Sequence, residues 1–295
     1  MADFFEEVVM ATFKLNGAEI YYEDYGPKDA PAIVLSPLIF TNTSVYEPIV
    51  RMLEDHYRVI AYDHRGSGKS TRASSSSIEN SAKDVAELIE KLDIGPCHFF
   101  GNCLGAFIGL NLAITRPDLL KSCILAGPNA EADDELTVKK MDAFLDYAKL
   151  QGMKESAKAF TDMWFGSTFR ATQDPVQVMR REKWTRHLAK MSPEEIESAR
   201  QMFHRKDVTK ELSKIHCDVL VMCGDEDSPE SIEACRKVAK AIPGAELRVI
   251  HHAGYALAIE QPEEVAEDIK LFVGKVERQR KQRARQPAKI GRAHV

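Results

Sequence analysis

The chain has 295 residues, of which 44% are hydrophobic and 29% charged, and its formal net charge is −5. These proportions are ordinary for a globular protein and allow one large domain or a domain with an insertion. No apolar run approaches the ~20 residues of a membrane span, and the acidic N-terminus lacks the features of a secretory signal. We therefore expect a cytoplasmic protein with no membrane partner.

The charge is unevenly distributed. Residues 276–295 carry seven basic side chains and one acid, so that residues 1–275 hold a net charge of −11. An acidic body argues against nucleic-acid binding by the folded part. The basic end is predicted to be a disordered tail, and residues 289–295 (KIGRAHV) resemble a translated sequencing adapter, so we exclude them from function.

Six cysteines are scattered along the chain without the paired spacing of a metal site or a disulfide framework. This usage is typical of reduced thiols in an intracellular enzyme. We expect neither a metal nor a cofactor.

Strand and helix patterns alternate along most of the chain. The predicted strands are residues 11–15, 19–24, 32–36, 57–62, 97–100, 119–126, 218–223 and 246–251. The predicted helices are residues 45–54, 78–92, 107–115, 229–241 and 262–275. Alternation of this kind predicts an α/β fold with a mostly parallel sheet and helices on both faces.

Residues 131–215 interrupt the alternation with helical periodicity alone, punctuated by Pro175 and Pro193. Because the sheet needs strands from both sides of this segment, we interpret it as a cap above the carboxyl ends of the strands, where ligands of such sheets bind. Residues 1–130 and 216–275 then form one discontinuous core domain. A separate helical domain is the alternative for the insertion.

Residues 98–106 contain the strongest functional signal. An apolar segment runs through Gly101-Asn102-Cys103-Leu104-Gly105 and directly into a helical pattern. This is the layout of a nucleophile elbow, a tight strand-to-helix turn that lifts one side chain above a parallel sheet. The middle position, where serine is usual, is Cys103. A buried cysteine that only packs is the alternative.

Four other stretches of the sequence carry motifs that can be considered together with the elbow. They are Asp63-His64-Arg65-Gly66-Ser67-Gly68 after a strand, Trp164-Phe165-Gly166 with Phe169-Arg170, Gly224-Asp225-Glu226-Asp227, and Ala253-Gly254-Tyr255 followed by Glu260-Gln261-Pro262. With them the chain resembles the α/β-hydrolase superfamily, and residues 11–275 look like the 3-oxoadipate enol-lactonase type. The resemblance implies an eight-stranded sheet with a helical cap.

The resemblance also implies roles for individual residues. Cys103 occupies the nucleophile position and Asp227 that of the triad acid, with Asp225 and Glu226 as alternatives. The backbone N–H groups of Leu38 and Leu104 would form the oxyanion hole. In the cap, Trp164 would lie near the substrate, and Arg170 is a candidate for binding a substrate carboxylate.

Two positions depart from the family pattern. Ser36-Pro37 stands where His-Gly usually precedes the oxyanion residue, and Tyr255 stands where a general-base histidine is expected. His252 and His251 lie three and four residues upstream, and His252 held by Asp227 is a candidate base. Cysteine needs such a base less than serine does, since a helix N-terminus lowers the pKa of a thiol. Water attack on a thioester still requires activation, and tyrosine, with its pKa near 10, is the better proton donor.

Three functions follow from these residues. The first is a hydrolase of an ester or lactone type that attacks a small ester, lactone, thioester or 1,3-dicarbonyl through Cys103. The second is acyl transfer or carbon–carbon cleavage without efficient hydrolysis, in which Tyr255 donates a proton. The third is a catalytically silent protein that binds a small ligand. A small-molecule substrate is the expected partner, and assembly into a homo-oligomer is left open.

Overall fold

The computed structural model describes residues 8–71 and 76–285, and within them the chain forms one eight-stranded sheet flanked by helices. The strands are β1 (Val9–Leu15), β2 (Ala18–Tyr25), β3 (Ala32–Ser36), β4 (Arg58–Tyr62), β5 (Cys97–Asn102), β6 (Leu120–Ala126), β7 (Asp218–Gly224) and β8 (Glu246–Ile250). Their order in the sheet is β1-β2-β4-β3-β5-β6-β7-β8. Strand β2 is antiparallel to both of its neighbours, and the remaining pairs are parallel.

The described residues also form twelve α-helices and three short 3-10 turns. The helices are α1 (Glu47–Leu53), α2 (Ile78–Lys91), α3 (Leu104–Thr115), α4 (Glu135–Gln151), α5 (Ala157–Trp164), α6 (Ser167–Ala171), α7 (Pro175–Leu188), α8 (Pro193–Ser198), α9 (Arg200–Phe203), α10 (Pro229–Ala241), α11 (Leu257–Glu260) and α12 (Pro262–Arg285). The 3-10 turns are Thr43–Val45, Pro117–Leu119 and Thr209–Lys214. The predicted α/β class, with a mostly parallel sheet, is confirmed.

The central strands are buried on both faces. Strands β3 and β5 are buried along their whole length, which explains the continuous apolar run at residues 33–35. Helix α2 packs against α3, and α1 packs against α12. Successive residues of β5 show the two layers, because Phe99 lies beside Gly109 of α3 while His98 contacts Glu277 of α12.

Between β6 and β7 the chain forms only helices, α4 to α9. Pro175 and Pro193 each lie in the first turn of a helix, α7 and α8, where proline loses no helical hydrogen bond. The side chains of Asp174 and Ser192 cap those two helices. The two prolines thus begin helices within the insertion.

Residues 276–285 are helical where a disordered tail was expected. Helix α12 continues ten residues past the predicted end at residue 275 and reaches Arg285, and the first residues beyond 275 have partners on the core. Val276 is buried, and Glu277 accepts hydrogen bonds from Lys121 at 2.8 Å and from His98 at 3.1 Å. The suspected adapter segment 289–295 lies outside the described residues.

His98 lies at the centre of a buried polar chain at the amino end of the sheet. Its Nδ1 is 2.7 Å from the hydroxyl of Ser122, and its Nε2 faces Glu277. Burial lowers the pKa of His98 to about 4. The ring is therefore neutral at pH 7, accepting from Ser122 and donating to Glu277.

Within residues 8–71 and 76–285, no helix has the length and apolar character needed to cross a bilayer.

Candidate active site

The candidate site is built around the turn from β5 into α3. Cys103 has φ 56° and ψ −115°, a backbone conformation that residues other than glycine rarely adopt. Its N–H donates to the carbonyl of Ala126 at 2.9 Å. A Cβ atom added to Gly105 would lie 2.1 Å from the carbonyl oxygen of Ser36, and one added to Gly101 would lie 2.2 Å from the backbone of α3. The glycines therefore let β5, α3 and β3 approach closely enough to form the elbow.

The sulfur of Cys103 is fully buried and faces hydrogen-bond donors. The backbone N–H groups of Ile39 and Leu104 and the hydroxyl of Tyr255 lie close enough to favour its ionised form and lower its pKa. The sulfur of Met202, from α9, lies 3.9 Å away on the cap side. The arrangement can stabilise negative charge on this sulfur or on an oxygen bound beside it.

The resting state of this cysteine differs from the expected thiolate. Burial raises its pKa above the ordinary value, and the contacts with Ile39, Tyr255 and Leu104 and the charge of Arg205 offset that effect only in part. Cys103 is therefore a neutral thiol at pH 7. The helix N-terminus does not overcome the loss of hydration.

The oxyanion loop follows β3. The N–H of Leu38 stays the predicted oxyanion donor, and the N–H of Ile39, one residue further on, is the one that lowers the pKa of the resting thiol. The loop turns sharply at this point, with the N–H of Thr41 donating to the carbonyl of Leu38 and Phe40 at φ 60°. The carbonyl of Pro37 is fixed from behind by Nε2 of His64 at 2.9 Å.

Tyr255 is held in place through its backbone. Its N–H donates to the carbonyl of Trp164 at 2.8 Å, and its carbonyl accepts from the side-chain amide of Asn102 at 3.1 Å. The neighbouring residue Ala256 donates to a carboxylate oxygen of Glu260. Asn102 immediately precedes Cys103, so the nucleophile and the phenol share one hydrogen-bonded support.

The phenol of Tyr255 lies over Gly127, where an added Cβ would come within 2.8 Å of the ring. Its hydroxyl is 3.4 Å from the carbonyl of Gly127 and also contacts the sulfur of Cys103. Burial raises the pKa of Tyr255 well above its ordinary value, and the cysteine raises it further. The phenol is therefore a proton donor and a poor base.

Asp227 lies close enough to Tyr255 to influence its charge, but its carboxylate is hydrogen-bonded elsewhere. It accepts from the N–H of Ser228 at 2.7 Å and from the hydroxyl of Ser231. Burial raises the pKa of Asp227. In the described part of the chain this carboxylate binds the first residues of α10 and is not hydrogen-bonded to an imidazole.

The two candidate histidines lie on the surface. Strand β8 ends at Ile250 and the chain reverses at His252, which has φ 55°, so that both rings point to solvent. Nδ1 of His251 is 3.0 Å from Asp225, and Nδ1 of His252 is 3.8 Å from Glu226. The idea that Asp227 orients His252 toward Cys103 is therefore not supported by the geometry. Among the described residues no histidine nitrogen hydrogen-bonds to this sulfur.

Trp164 joins the cap to both sides of the site. Its ring packs on Phe160 at 5.2 Å and on Phe40 of the oxyanion loop at 6.4 Å. Its carbonyl binds the Tyr255 backbone, as described above. The aromatic rings give the cap side of the site an apolar wall.

Arg170 lies away from the sulfur. It is exposed on the outside of the cap, where it donates to the carbonyl of Asp162 and lines an open groove of about 740 Å³ with Lys158, Arg181 and Arg186. Neither Cys103 nor Tyr255 lines that groove. The expected role of Arg170 at the reacting centre is therefore not supported by its position.

Some residues of the site were not singled out as functional by the sequence. Ile39 lies one position beyond the residue that was chosen, and Glu260 was noted only as part of a family pattern. Met202 and Arg205 come from α9 and the segment after it, where helical periodicity carries no signal for the approach of a distant cysteine. Across residues 8–71 and 76–285, no group of three or more potential ligands is placed to hold a metal ion.

Comparisons with known proteins show the family to which the chain belongs. A family model described as the alpha/beta hydrolase fold matches residues 31–262. The chain is 26% identical over 262 residues to 3-oxoadipate enol-lactonase 1 of Acinetobacter baylyi, covering 89% of this chain and 96% of that protein. Two solved structures are also similar. An enol-lactonase of Burkholderia xenovorans has 26% identity and a TM-score of 0.79, with 89% and 99% of the two chains covered. A thermophilic esterase of Thermogutta terrifontis has 25% identity and a TM-score of 0.82, with 92% and 99% covered.

Proposed function

Because the chain belongs to the α/β-hydrolase family, as its sequence predicted, we propose that it is a hydrolase whose Cys103 attacks the carbonyl carbon of a small ester, lactone, thioester or 1,3-dicarbonyl. One observation carries the proposal. The sulfur lies at a strained elbow, beside two backbone N–H groups and a phenol. Such donors stabilise the oxyanion of a tetrahedral intermediate in acyl transfer.

The first step forms a thioester. The sulfur bonds to the carbonyl carbon, and the bond to the leaving atom breaks: oxygen in an ester or lactone, sulfur in a thioester, carbon in a 1,3-dicarbonyl. The thiol proton passes through the Tyr255 hydroxyl to the leaving group. The N–H groups of Ile39 and Leu104 stabilise the negative charge on the carbonyl oxygen, helped by the N-terminus of α3. The raised pKa of Tyr255 keeps its hydroxyl protonated at pH 7, so it can pass a proton on only as it takes one from the thiol.

Among residues 8–71 and 76–285 no imidazole hydrogen-bonds to the sulfur, and this favours certain substrates within the class. A leaving group that departs readily, such as an enolate or a thiolate, needs little acid or base assistance. Enol lactones and thioesters fit this requirement better than alkyl esters. The similarity to enol-lactonases supports the same choice.

The same observation favours a second function, acyl transfer. Water is a weak nucleophile and needs a base to attack a thioester, whereas a thiol or amine acceptor needs less help. The acceptor then takes the acyl group and the thiol of Cys103 is regenerated. Tyr255 returns to its position as a donor in both outcomes.

A burst experiment tests the proposal. The protein is mixed with p-nitrophenyl acetate, nitrophenol release is followed by stopped flow, and the acetylated peptide is identified by mass spectrometry. We expect a stoichiometric burst and acetyl on Cys103. Cys103→Ala should lose the burst, whereas Cys217→Ser, at a partly exposed thiol outside the site, should keep it.

The later phase separates the outcomes. Continued release after the burst supports hydrolysis. A stalled acetyl-enzyme that is discharged by an added thiol supports acyl transfer. An unreactive Cys103 would contradict both functions and leave a protein that only binds a ligand.

A further inference from the structure

Glu260 has an unusual environment for a carboxylate. It is fully buried at the end of α11, and its two oxygens accept hydrogen bonds from three backbone N–H groups. The donors are Gly166 at 2.7 Å, Gly254 at 3.0 Å and Ala256 at 3.2 Å. Both oxygens of a carboxylate are acceptors, so one side chain can serve all three amides.

These donors come from two segments that are far apart in the sequence. Gly254 and Ala256 flank Tyr255 on the loop after β8, whereas Gly166 begins α6 of the cap. A Cβ added to Gly254 would lie 2.5 Å from the nitrogen of Gly166. The two backbones are therefore in direct contact, and the carboxylate joins them.

We propose that Glu260 is a positioning residue, whose carboxylate fixes the Tyr255 loop against the cap so that the phenol hydroxyl meets the sulfur of Cys103. Its oxygens set the direction of the peptide groups on both sides of Tyr255. Trp164 completes the join through its carbonyl, which accepts from the Tyr255 N–H. The catalytic value of this arrangement rests on the function proposed above, whereas the hydroxyl–sulfur contact exists without it.

An amide in place of the carboxylate cannot make the same set of contacts. Glutamine offers one acceptor oxygen, and its NH2 group would face N–H donors of the loop or the cap. Glu260→Gln should therefore loosen the Tyr255 loop while leaving the size of the side chain unchanged. Glu263→Gln is the matched control, because Glu263 lies three residues away and binds Arg180 of the cap but does not contact the loop.

The test reads the hydroxyl–sulfur contact through the reactivity of Cys103. Alkylation by iodoacetamide is measured from pH 6 to pH 10 by quantifying the Cys103 peptide in the wild type, Tyr255→Phe, Glu260→Gln and the double variant. Loss of one hydrogen bond to a thiolate lowers its population about tenfold, and half of this is offset by higher nucleophilicity. Tyr255→Phe should thus slow alkylation at pH 8 about threefold and move the rate–pH curve to higher pH.

We expect Glu260→Gln to move the curve in the same direction by a similar amount, and to add nothing when Tyr255 is already Phe. Glu263→Gln should overlay the wild type. A Glu260→Gln curve that overlays the wild type, or that adds in full to Tyr255→Phe, would overturn the proposal, since a residue with only a structural role does not depend on the hydroxyl.

Two provisions keep this result separate from others. If Glu260→Gln does not fold, Glu260→Asp takes its place in the same cycle, because its shorter carboxylate cannot reach both segments and the same non-additive shift is expected. Alkylation needs no turnover, so the cycle can succeed even if the burst with p-nitrophenyl acetate fails. Failure of the proposed function and failure of this inference are therefore distinguishable.

Discussion

Cys103 and Tyr255 pair two weak acids where most triads pair an acid with a base. Burial raises the pKa of both groups, so both are neutral in the resting protein. Each can still hydrogen-bond to the other, and the phenol has a second acceptor in the carbonyl of Gly127. A proton can move from the thiol of Cys103 to the phenol of Tyr255 only when a substrate supplies a developing negative charge.

Tyr255→His should accelerate the discharge of the acetyl-enzyme. An imidazole at this position can activate water, and general-base catalysis contributes about 10²–10⁴-fold. Steady-state nitrophenol release after the burst measures the effect, with Tyr255→Phe as the control that lacks both proton donor and base. An unchanged rate in Tyr255→His would mean that water is activated by another group.

Cys103→Ser should lose acylation almost completely. A serine hydroxyl is a poor nucleophile without a base, and the described site supplies none. We expect a loss of at least about 10²-fold in the burst rate constant, and partial recovery in Cys103→Ser combined with Tyr255→His. Equal burst rates in Cys103→Ser and the wild type would contradict the role given to the thiol.

At the scale of elements, the site depends on how closely α3 crosses β3. The carbonyl of Ser36 occupies the space that a side chain at residue 105 would need, and both partners are backbone atoms that cannot move independently. The oxyanion loop begins at the next residue. A shift of α3 would therefore change the position of the N–H groups as well as that of the sulfur.

Gly105→Ala should destabilise the protein by about 2–4 kcal/mol because the added methyl group overlaps backbone. Gly274→Ala, in the middle of α12, meets only the flexible end of Arg278 and should be neutral or stabilising by up to about 1 kcal/mol. Urea denaturation of both variants measures the difference. Equal stabilities of the two variants would show that α3 can move away from β3 and accommodate the added methyl group.

At the scale of the whole molecule, buried ionisable groups change the free energy of unfolding with pH in opposite directions. Burial lowers the pKa of His64 and of His98 to about 4, so the stability they support above pH 6.5 is lost as the pH falls toward 4. Burial raises the pKa of Asp63 to about 6 and that of Glu260 to about 7, so their contribution is complete below pH 4 and is lost as the pH rises through 6 to 7. The two pairs have opposite slopes.

Replacing one of these groups should change how the free energy of unfolding depends on pH, because the remaining groups then determine the slope. Between pH 7.5 and pH 4.5, Glu260→Gln should lose about 3 kcal/mol more of its free energy of unfolding than the wild type does. His98→Gln should lose less than the wild type over a similar range, down to pH 4. Urea titrations at five pH values measure both differences. A parallel pair of curves for the wild type and Glu260→Gln would refute the assignment.

The sequence predicted the sheet because alternation and apolar runs are local signals, and it predicted the elbow because glycine spacing is local as well. It could not predict the position of His252, since a reversal at the end of β8 decides whether that ring points inward. Helix α12 extends past its predicted end, and Glu277 in the added part contacts Lys121 and His98 of distant strands, which a local pattern does not reveal.

The chain of Ser122, His98 and Glu277 has the same order of hydroxyl, imidazole and carboxylate as a hydrolase triad, at the far end of the same sheet. There it fastens the last helix to two strands. The same fold thus holds the customary three groups at the amino end of the sheet and a different pair, Cys103 and Tyr255, at the elbow. The order of hydroxyl, imidazole and carboxylate alone does not identify an active site.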